Sequence, residues 1–84
     1  MTNPQYGEIY KQVIRLLEEY APRPVPISEE TELVNDLGFD SLRVMEMLHD
    51  VEDTFDISYP LNSLPELRTV KDFTLKIQEI IETT

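Results

Sequence analysis

Apolar residues recur at helical spacing in the first part of the chain. They would share one face of a helix, and they are Tyr6, Ile9, Val13, Leu16, Leu17 and Tyr20. Asn3 and Pro4 provide a cap and a first turn. Prolines at positions 22, 24 and 26 follow, and each removes a backbone donor and disfavours helix at the residue before it. The first helix is therefore predicted to span about Pro4 to Tyr20.

A long connection follows the first helix and runs to about Asp40. It contains five apolar residues that we expect to hold it against the helices: Ile27, Leu33, Val34, Leu37 and Phe39. Gly38 permits a tight turn near its end. From Ser41 the helical period resumes, and it continues to Phe55, where turn-forming residues follow. The second helix is predicted to span Ser41 to Phe55.

Two capping patterns lie in the last third of the chain. Ser63 and Glu66 match a capping box around Pro65, and they predict a short third helix anchored by Leu67. A second box begins at Thr69, and the apolar stripe beyond it comprises Val70, Phe73, Ile77, Ile80 and Ile81. This stripe predicts a fourth helix that reaches the C-terminus.

These segments predict an all-α fold, because no strand-like alternation, internal repeat or low-complexity segment occurs along the chain. The expected architecture is a four-helix bundle with three main helices, one short helix and a long first loop. A chain of 84 residues suits a single domain over residues 1–84, with a radius of gyration of about 12 Å.

The second helix has two apolar faces. With an advance of about 100° per residue, its core face comprises Val44, Met47, Leu48, Val51 and Phe55. A separate apolar ridge is formed by Leu42, Met45 and His49, and it is flanked by Glu46, Asp50 and Asp53. An apolar strip beside an acidic one suits a docking surface. Exposed apolar residues are also common on ordinary surfaces, so the ridge alone supports a docking surface and an ordinary surface about equally.

The charge and composition exclude several classes of function. Seventeen acidic against seven basic residues give a net charge of −10, which repels nucleic acids and anionic membranes and favours partners with basic surfaces. No segment has the length and hydrophobicity of a membrane span or signal peptide, which predicts a cytoplasmic protein. The chain has little interior for a catalytic pocket, so we expect no enzyme. Without cysteine, any thiol chemistry must come from a cofactor.

Catalytic and metal sites also find little support among the polar residues. Ser41 and His49 are separated by about 12 Å along a helix, too far to share a proton directly. The acids Asp50, Glu52, Asp53 and Asp56 are placed at the predicted second helix and lack the glycine and spacing of a calcium loop, so no metal site is predicted. An ordinary role for Ser41 would be to cap the second helix.

A longer motif surrounds Ser41. The segment Asp36-Leu37-Gly38-Phe39-Asp40-Ser41-Leu42 resembles the phosphopantetheine attachment motif of acyl carrier proteins. It opens a predicted helix, follows a leucine-glycine turn, and precedes Glu52-Asp53-Thr54-Phe55-Asp56-Ile57 at the spacing of that family. The resemblance covers nearly the whole chain.

The resemblance implies that a phosphopantetheinyl transferase attaches the arm of coenzyme A to Ser41, with Asp40 and Leu42 as neighbours in the motif. The arm's thiol would hold acyl or aminoacyl cargo as a thioester. In the family, the helix after the serine is the main docking surface, which here contains Leu42, Met45, Glu46, His49, Asp50, Glu52 and Asp53. The implied partners are the transferase, a loading enzyme, and downstream synthases or transferases with basic docking surfaces.

Two departures from the fatty-acid pattern leave the pathway open. Arg43 places a positive charge where such carriers have a polar or acidic residue, and residues 58–62 replace an acid-rich loop. A specialised fatty-acid, polyketide or aminoacyl pathway is expected, with a monomeric carrier whose docking face stays free. The alternative is an acidic helical adaptor that binds basic partners through the second helix, in which Ser41 has no chemical role.

Overall fold

The computed structural model describes residues 5–21 and 25–83, apart from the side chain of Leu61. Within these residues it contains three α-helices and one 3-10 helix. They are α1 (Tyr6–Tyr20), α2 (Ser41–Phe55), the 3-10 helix (Leu61–Glu66) and α3 (Val70–Thr83). The predicted all-α fold with a long first loop is confirmed, and the radius of gyration is 12.0 Å.

The apolar stripes of the three α-helices meet in one core. The buried apolar residues of the helices are Ile9, Val13 and Leu17 of α1, Met47, Leu48 and Val51 of α2, and Val70, Phe73 and Ile77 of α3. Val44 and Phe55 are half-buried and pack against this core. The core face predicted for the second helix is therefore confirmed, because helical periodicity alone decides which side chains share a face.

The ends of the first two helices differ in how well the sequence predicted them. α1 begins at Tyr6, two residues later than expected, because Gln5 has an extended backbone; Asn3 and Pro4 lie outside the described residues. α2 has the predicted bounds. It ends at Phe55, because the next residue, Asp56, has a left-handed backbone with a φ of 55°.

The predicted capping box at Ser63 is wrong. The 3-10 helix begins at Leu61, and the Ser63 N–H donates to the Pro60 carbonyl at 3.0 Å, so the turn has formed before Ser63 is reached. The box at Thr69 is confirmed. Its hydroxyl accepts from the Asp72 N–H at 3.1 Å, and the Asp72 carboxylate accepts from the Thr69 N–H at 3.2 Å.

The long connection is fixed to the segment that precedes α3. The Leu33 N–H donates to the Arg68 carbonyl at 3.1 Å, the Val70 N–H donates to the Thr31 carbonyl at 3.0 Å, and Glu32 forms an antiparallel bridge with Thr69. These bonds satisfy backbone groups that a buried loop would otherwise leave unpaired. Residues 31–33 of the connection are therefore held against the segment before α3.

One expectation about the connection is wrong. Leu33, Leu37 and Phe39 are buried, but Val34 is 61% exposed. Residues 33–37 form a helical turn, in which Leu33 and Leu37 share the inner face while Val34 points about 100° away. Gly38 ends the turn with a φ of 72°, and its N–H donates to the Val34 carbonyl at 3.0 Å. The turn geometry thus turns Val34 to the surface.

Candidate functional site

Ser41 is the first residue of α2, and its side chain is exposed. Asp40, not Ser41, is the N-cap: its Oδ1 accepts from the Arg43 N–H at 2.8 Å. The hydroxyl of Ser41 has no hydrogen-bond partner within residues 5–21 and 25–83. The ordinary capping role considered for Ser41 is therefore wrong, and its hydroxyl is left accessible.

The first turn of α2 provides a favourable place for a phosphate. The N–H groups of Ser41 and Leu42 make no hydrogen bond to any residue that the structure describes, because Asp40 accepts only from Arg43 with its side chain. Free amides and the positive end of the helix dipole stabilise an anion beside them. The Asp40 carboxylate opposes this field in part. These residues fit a phosphodiester on the Ser41 oxygen.

The predicted apolar ridge lies on the surface of α2. Leu42 is 69% exposed and Met45 is 41% exposed, and His49 is exposed as well. Glu46 and Asp53 are exposed beside it. The structure thus brings these five residues together on the open side of the helix that begins at Ser41.

Two other predicted docking residues have partners within the chain. The Asp50 carboxylate accepts a hydrogen bond from the Tyr20 hydroxyl. Glu52 Oε2 accepts from the Tyr59 N–H at 2.9 Å. Both acids are half-buried. Their charges therefore stabilise the contacts of α2 with its neighbours, and a role for them in docking stays a prediction.

Arg43 and Tyr20 join the end of α1 to α2. Arg43 Nη1 donates to the Tyr20 carbonyl at 2.7 Å. The Tyr20 hydroxyl donates to the carboxylate of Asp50, which is on α2 like Arg43. A guanidinium at a helix C-terminus is favourable because the last carbonyls carry partial negative charge. No sequence pattern predicted these contacts, since Tyr20 and Asp50 are 30 residues apart. The specialised pathway expected from Arg43 stays a prediction.

A cavity of about 180 Å³ opens beside the ridge. It is lined by Met45, Leu48, His49, Glu52 and Tyr59. Tyr59 is buried, its ring contacts the edge of Phe73 at a centroid distance of 5.7 Å, and burial raises the pKa of its phenol. Tyr59 was not among the predicted site residues. The sequence feature that could have indicated Tyr59 is the presence of an aromatic residue in a short connection between two helices.

Replacing Tyr20 with phenylalanine is expected to reduce stability in a pH-dependent way. The hydrogen bond to Asp50, together with burial and nearby carboxylates, raises the pKa of Tyr20 from 10.0 to about 12. A raised phenol pKa stabilises the folded state fully below pH 10.0, and this contribution is lost as pH rises through about 12. In urea unfolding, the wild type should therefore have a higher free energy of unfolding than Tyr20→Phe near neutral pH. This difference should be much smaller at a pH of about 12. A difference that stays constant with pH contradicts the assignment.

An exposed serine at the start of a helix, with free amides beside it and an exposed apolar ridge beyond it, is typical of a small helical carrier protein. The sequence profile described as phosphopantetheine attachment site matches residues 11–77. The chain therefore belongs to the phosphopantetheine-binding acyl carrier protein family, whose members are non-catalytic carriers. This match favours the carrier over the adaptor considered from the sequence.

Individual relatives agree with the family match. The chain is 35% identical to the acyl carrier protein of Syntrophus aciditrophicus over 75 residues, which cover 87% of this chain and 90% of the relative. It is 34% identical to the meromycolate extension acyl carrier protein of Mycobacterium tuberculosis over 76 residues, covering 89% of this chain and 66% of the relative.

A solved structure confirms the fold. A Mycobacterium tuberculosis chain assigned as an acyl carrier protein superimposes with a TM-score of 0.76 at 26% identity, and the match covers 82% of this chain and 93% of that one. Among the residues that the structure describes, none of the helices has the length and apolar character needed to cross a membrane.

Proposed function

We propose that Ser41 carries the phosphopantetheine arm and that the chain moves acyl or aminoacyl intermediates between biosynthetic enzymes as thioesters. The observation that carries this proposal is the exposed Ser41 hydroxyl beside two free amides at the start of α2. The terminal thiol of the arm supplies the thioester chemistry, which a chain without cysteine does not provide itself.

The neighbours of Ser41 would hold the attachment point in place. Asp40 fixes the first turn through its bond to the Arg43 N–H, and the Arg43 guanidinium fixes the same turn to α1. The amides of Ser41 and Leu42 would then face the phosphodiester. These contacts would keep the start of α2 ordered when the arm is attached.

The docking face proposed for partner enzymes is the apolar ridge with its acidic border. The exposed residues of this face are Leu42, Met45, Glu46, His49 and Asp53. The net charge of −10 favours partners with basic surfaces: the transferase, a loading enzyme, and downstream synthases or transferases. Asp50 and Glu52 would add to the negative field, although their carboxylates bond within the chain. We propose that the chain acts as a monomer, which keeps this face open.

The pathway proposed is a specialised one, in fatty-acid, polyketide or aminoacyl metabolism. Arg43 and the connection of residues 58–62 support this, because both make the surface less acidic than the fatty-acid pattern. We propose a cytoplasmic location for the chain, as expected from its sequence.

Mapping of the modified residue tests the proposal. Wild-type protein is treated with coenzyme A, magnesium and a broad-specificity phosphopantetheinyl transferase, and then cleaved after lysine and arginine. Because the Arg23–Pro24 bond resists this cleavage, the peptide of residues 16–43 contains both Ser28 and Ser41, and fragmentation must separate the two. We expect the arm on Ser41. An arm on Ser28, or on Ser58 or Ser63 in the next peptide, contradicts the proposal.

A further inference from the structure

A groove of about 300 Å³ lies between the long connection and the segment before α3. Its apolar residues are Val34, Pro65 and Leu67, and its polar residues are Glu32, Asn35 and Arg68. Val34 lines this groove, and it is one of the most exposed large apolar residues among those the structure describes. None of the roles assigned so far involves this groove.

The two walls of the groove are fixed to each other. The backbone bonds from Leu33 to Arg68 and from Val70 to Thr31 join them directly. On the polar side, Glu32 Oε1 accepts from Arg68 Nε at 3.1 Å and from Asn35 Nδ2 at 3.2 Å. A surface that is already ordered loses little conformational entropy when a partner binds. The groove is therefore preformed for an incoming side chain.

The groove is close to Ser41. The Leu33 carbonyl, adjacent to Val34, accepts from the Phe39 N–H at 3.1 Å, and Phe39 is two residues before Ser41. Chain geometry then limits the distance between the Cα atoms of Val34 and Ser41 to about 15 Å. A specific protein interface covers about 800 Å² on each partner, which corresponds to a circle of roughly 16 Å radius. An enzyme whose interface is centred on Ser41 can therefore extend to the groove as well as to the ridge.

The charges around the groove favour a basic partner. Residues 32–53 contain seven acidic residues and one arginine. Arg68, the cation of the groove, is neutralised by its ion pair with Glu32. Asp36 and Asp40, which follow Val34 in the sequence and precede Ser41, are both exposed. An apolar side chain surrounded by lysine or arginine on the partner would complement this surface.

We propose that this groove is a second docking point for the phosphopantetheinyl transferase, which inserts an apolar side chain beside Val34 while its basic residues face the acidic segment. The proposal rests on attachment at Ser41. The transferase would then contact the chain at two places, the ridge on α2 and the groove beside the connection, with Ser41 between them. A transferase held at both contacts has its active site centred on Ser41.

The test measures binding apart from modification. Transferase affinity is measured by calorimetry for three proteins: Ser41→Ala alone, Ser41→Ala with Val34→Ser, and Ser41→Ala with Leu75→Ser. Leu75 is a matched control because it is 44% exposed and lies on α3 outside the groove. Loss of the valine contact should weaken binding about five-fold. The Leu75 variant should stay within about two-fold of Ser41→Ala alone.

Several outcomes overturn the proposal. Equal affinities of the Val34 and Leu75 variants would show that the groove is not contacted, and absence of binding by the Ser41→Ala protein would remove the transferase as its occupant. Sedimentation that reveals a dimer dependent on Val34 would assign the groove to a second copy of the chain. Attachment at Ser41 is judged separately, by the mapping of the modified wild type, so the two proposals can fail independently.

Discussion

The Ser41→Ala protein is expected to gain no mass when it is incubated with coenzyme A, magnesium and a phosphopantetheinyl transferase, whereas the wild type gains one arm. The phosphodiester forms on a serine hydroxyl, and alanine has none. Complete loss is expected because the exposed hydroxyl of Ser41 stands beside the free amides of the helix start. Intact-mass measurement of both proteins decides the outcome.

A second serine provides the control for this experiment. Ser58 is exposed in the connection after α2, and the Ser58→Ala protein should be modified as completely as the wild type. Ser41→Ala should remain folded, because Asp40 and not Ser41 caps α2. A circular dichroism melting curve like that of the wild type would establish this. A Ser41→Ala protein that still gains the arm would refute the assignment of Ser41.

Phe73→Ala is expected to lower the free energy of unfolding by about 3–5 kcal/mol. Phe73 is fully buried on α3, and its ring makes an edge contact with Tyr59. Truncation removes buried apolar area and leaves a cavity that the three helices cannot fill completely. Folding free energies of roughly 0.05–0.15 kcal/mol per residue imply that this loss is a large part of the total. Urea unfolding followed by circular dichroism gives the value.

Leu75→Ala is the control for Phe73→Ala. It tests whether the loss of stability comes from the burial of the side chain and not from its position on α3. Leu75 lies on the same helix, two residues from Phe73, but its side chain is partly exposed. Its truncation should change the free energy of unfolding by less than about 1 kcal/mol. If both variants lose the same free energy, the core described around Phe73 is wrong.

The helices could be predicted because periodicity determines which side chains share a face. The core residues of α2 followed from the sequence in this way, as did the exposure of Leu42 and Met45. The exposure of Val34 did not, because it depends on a single helical turn inside a connection that has no sustained period. Ser63 shows a related limit. A capping pattern predicts a helix start only if the preceding residues have not already formed a turn.

The environment of the predicted site depends on contacts between distant residues. Ser41 and its motif are contiguous in sequence, so they could be identified without a structure. The partner of Asp50 is Tyr20 on another helix, and the partner of Glu52 is the backbone of Tyr59. Carboxylates on one helix face look alike in a sequence. Only their packing against other segments separates those that face solvent from those that bond within the chain.

The hydrogen bonds between the long connection and residues 68–70 also determine when the connection can take its folded position during synthesis. The connection that leads to Ser41 is made early, but Arg68 follows its partner Leu33 by 35 residues and Val70 follows its partner Thr31 by 39 residues. A nascent chain that ends before these residues has no acceptor for the Leu33 N–H and no donor for the Thr31 carbonyl. The surroundings of Ser41 are therefore assembled only when the last third of the chain has emerged.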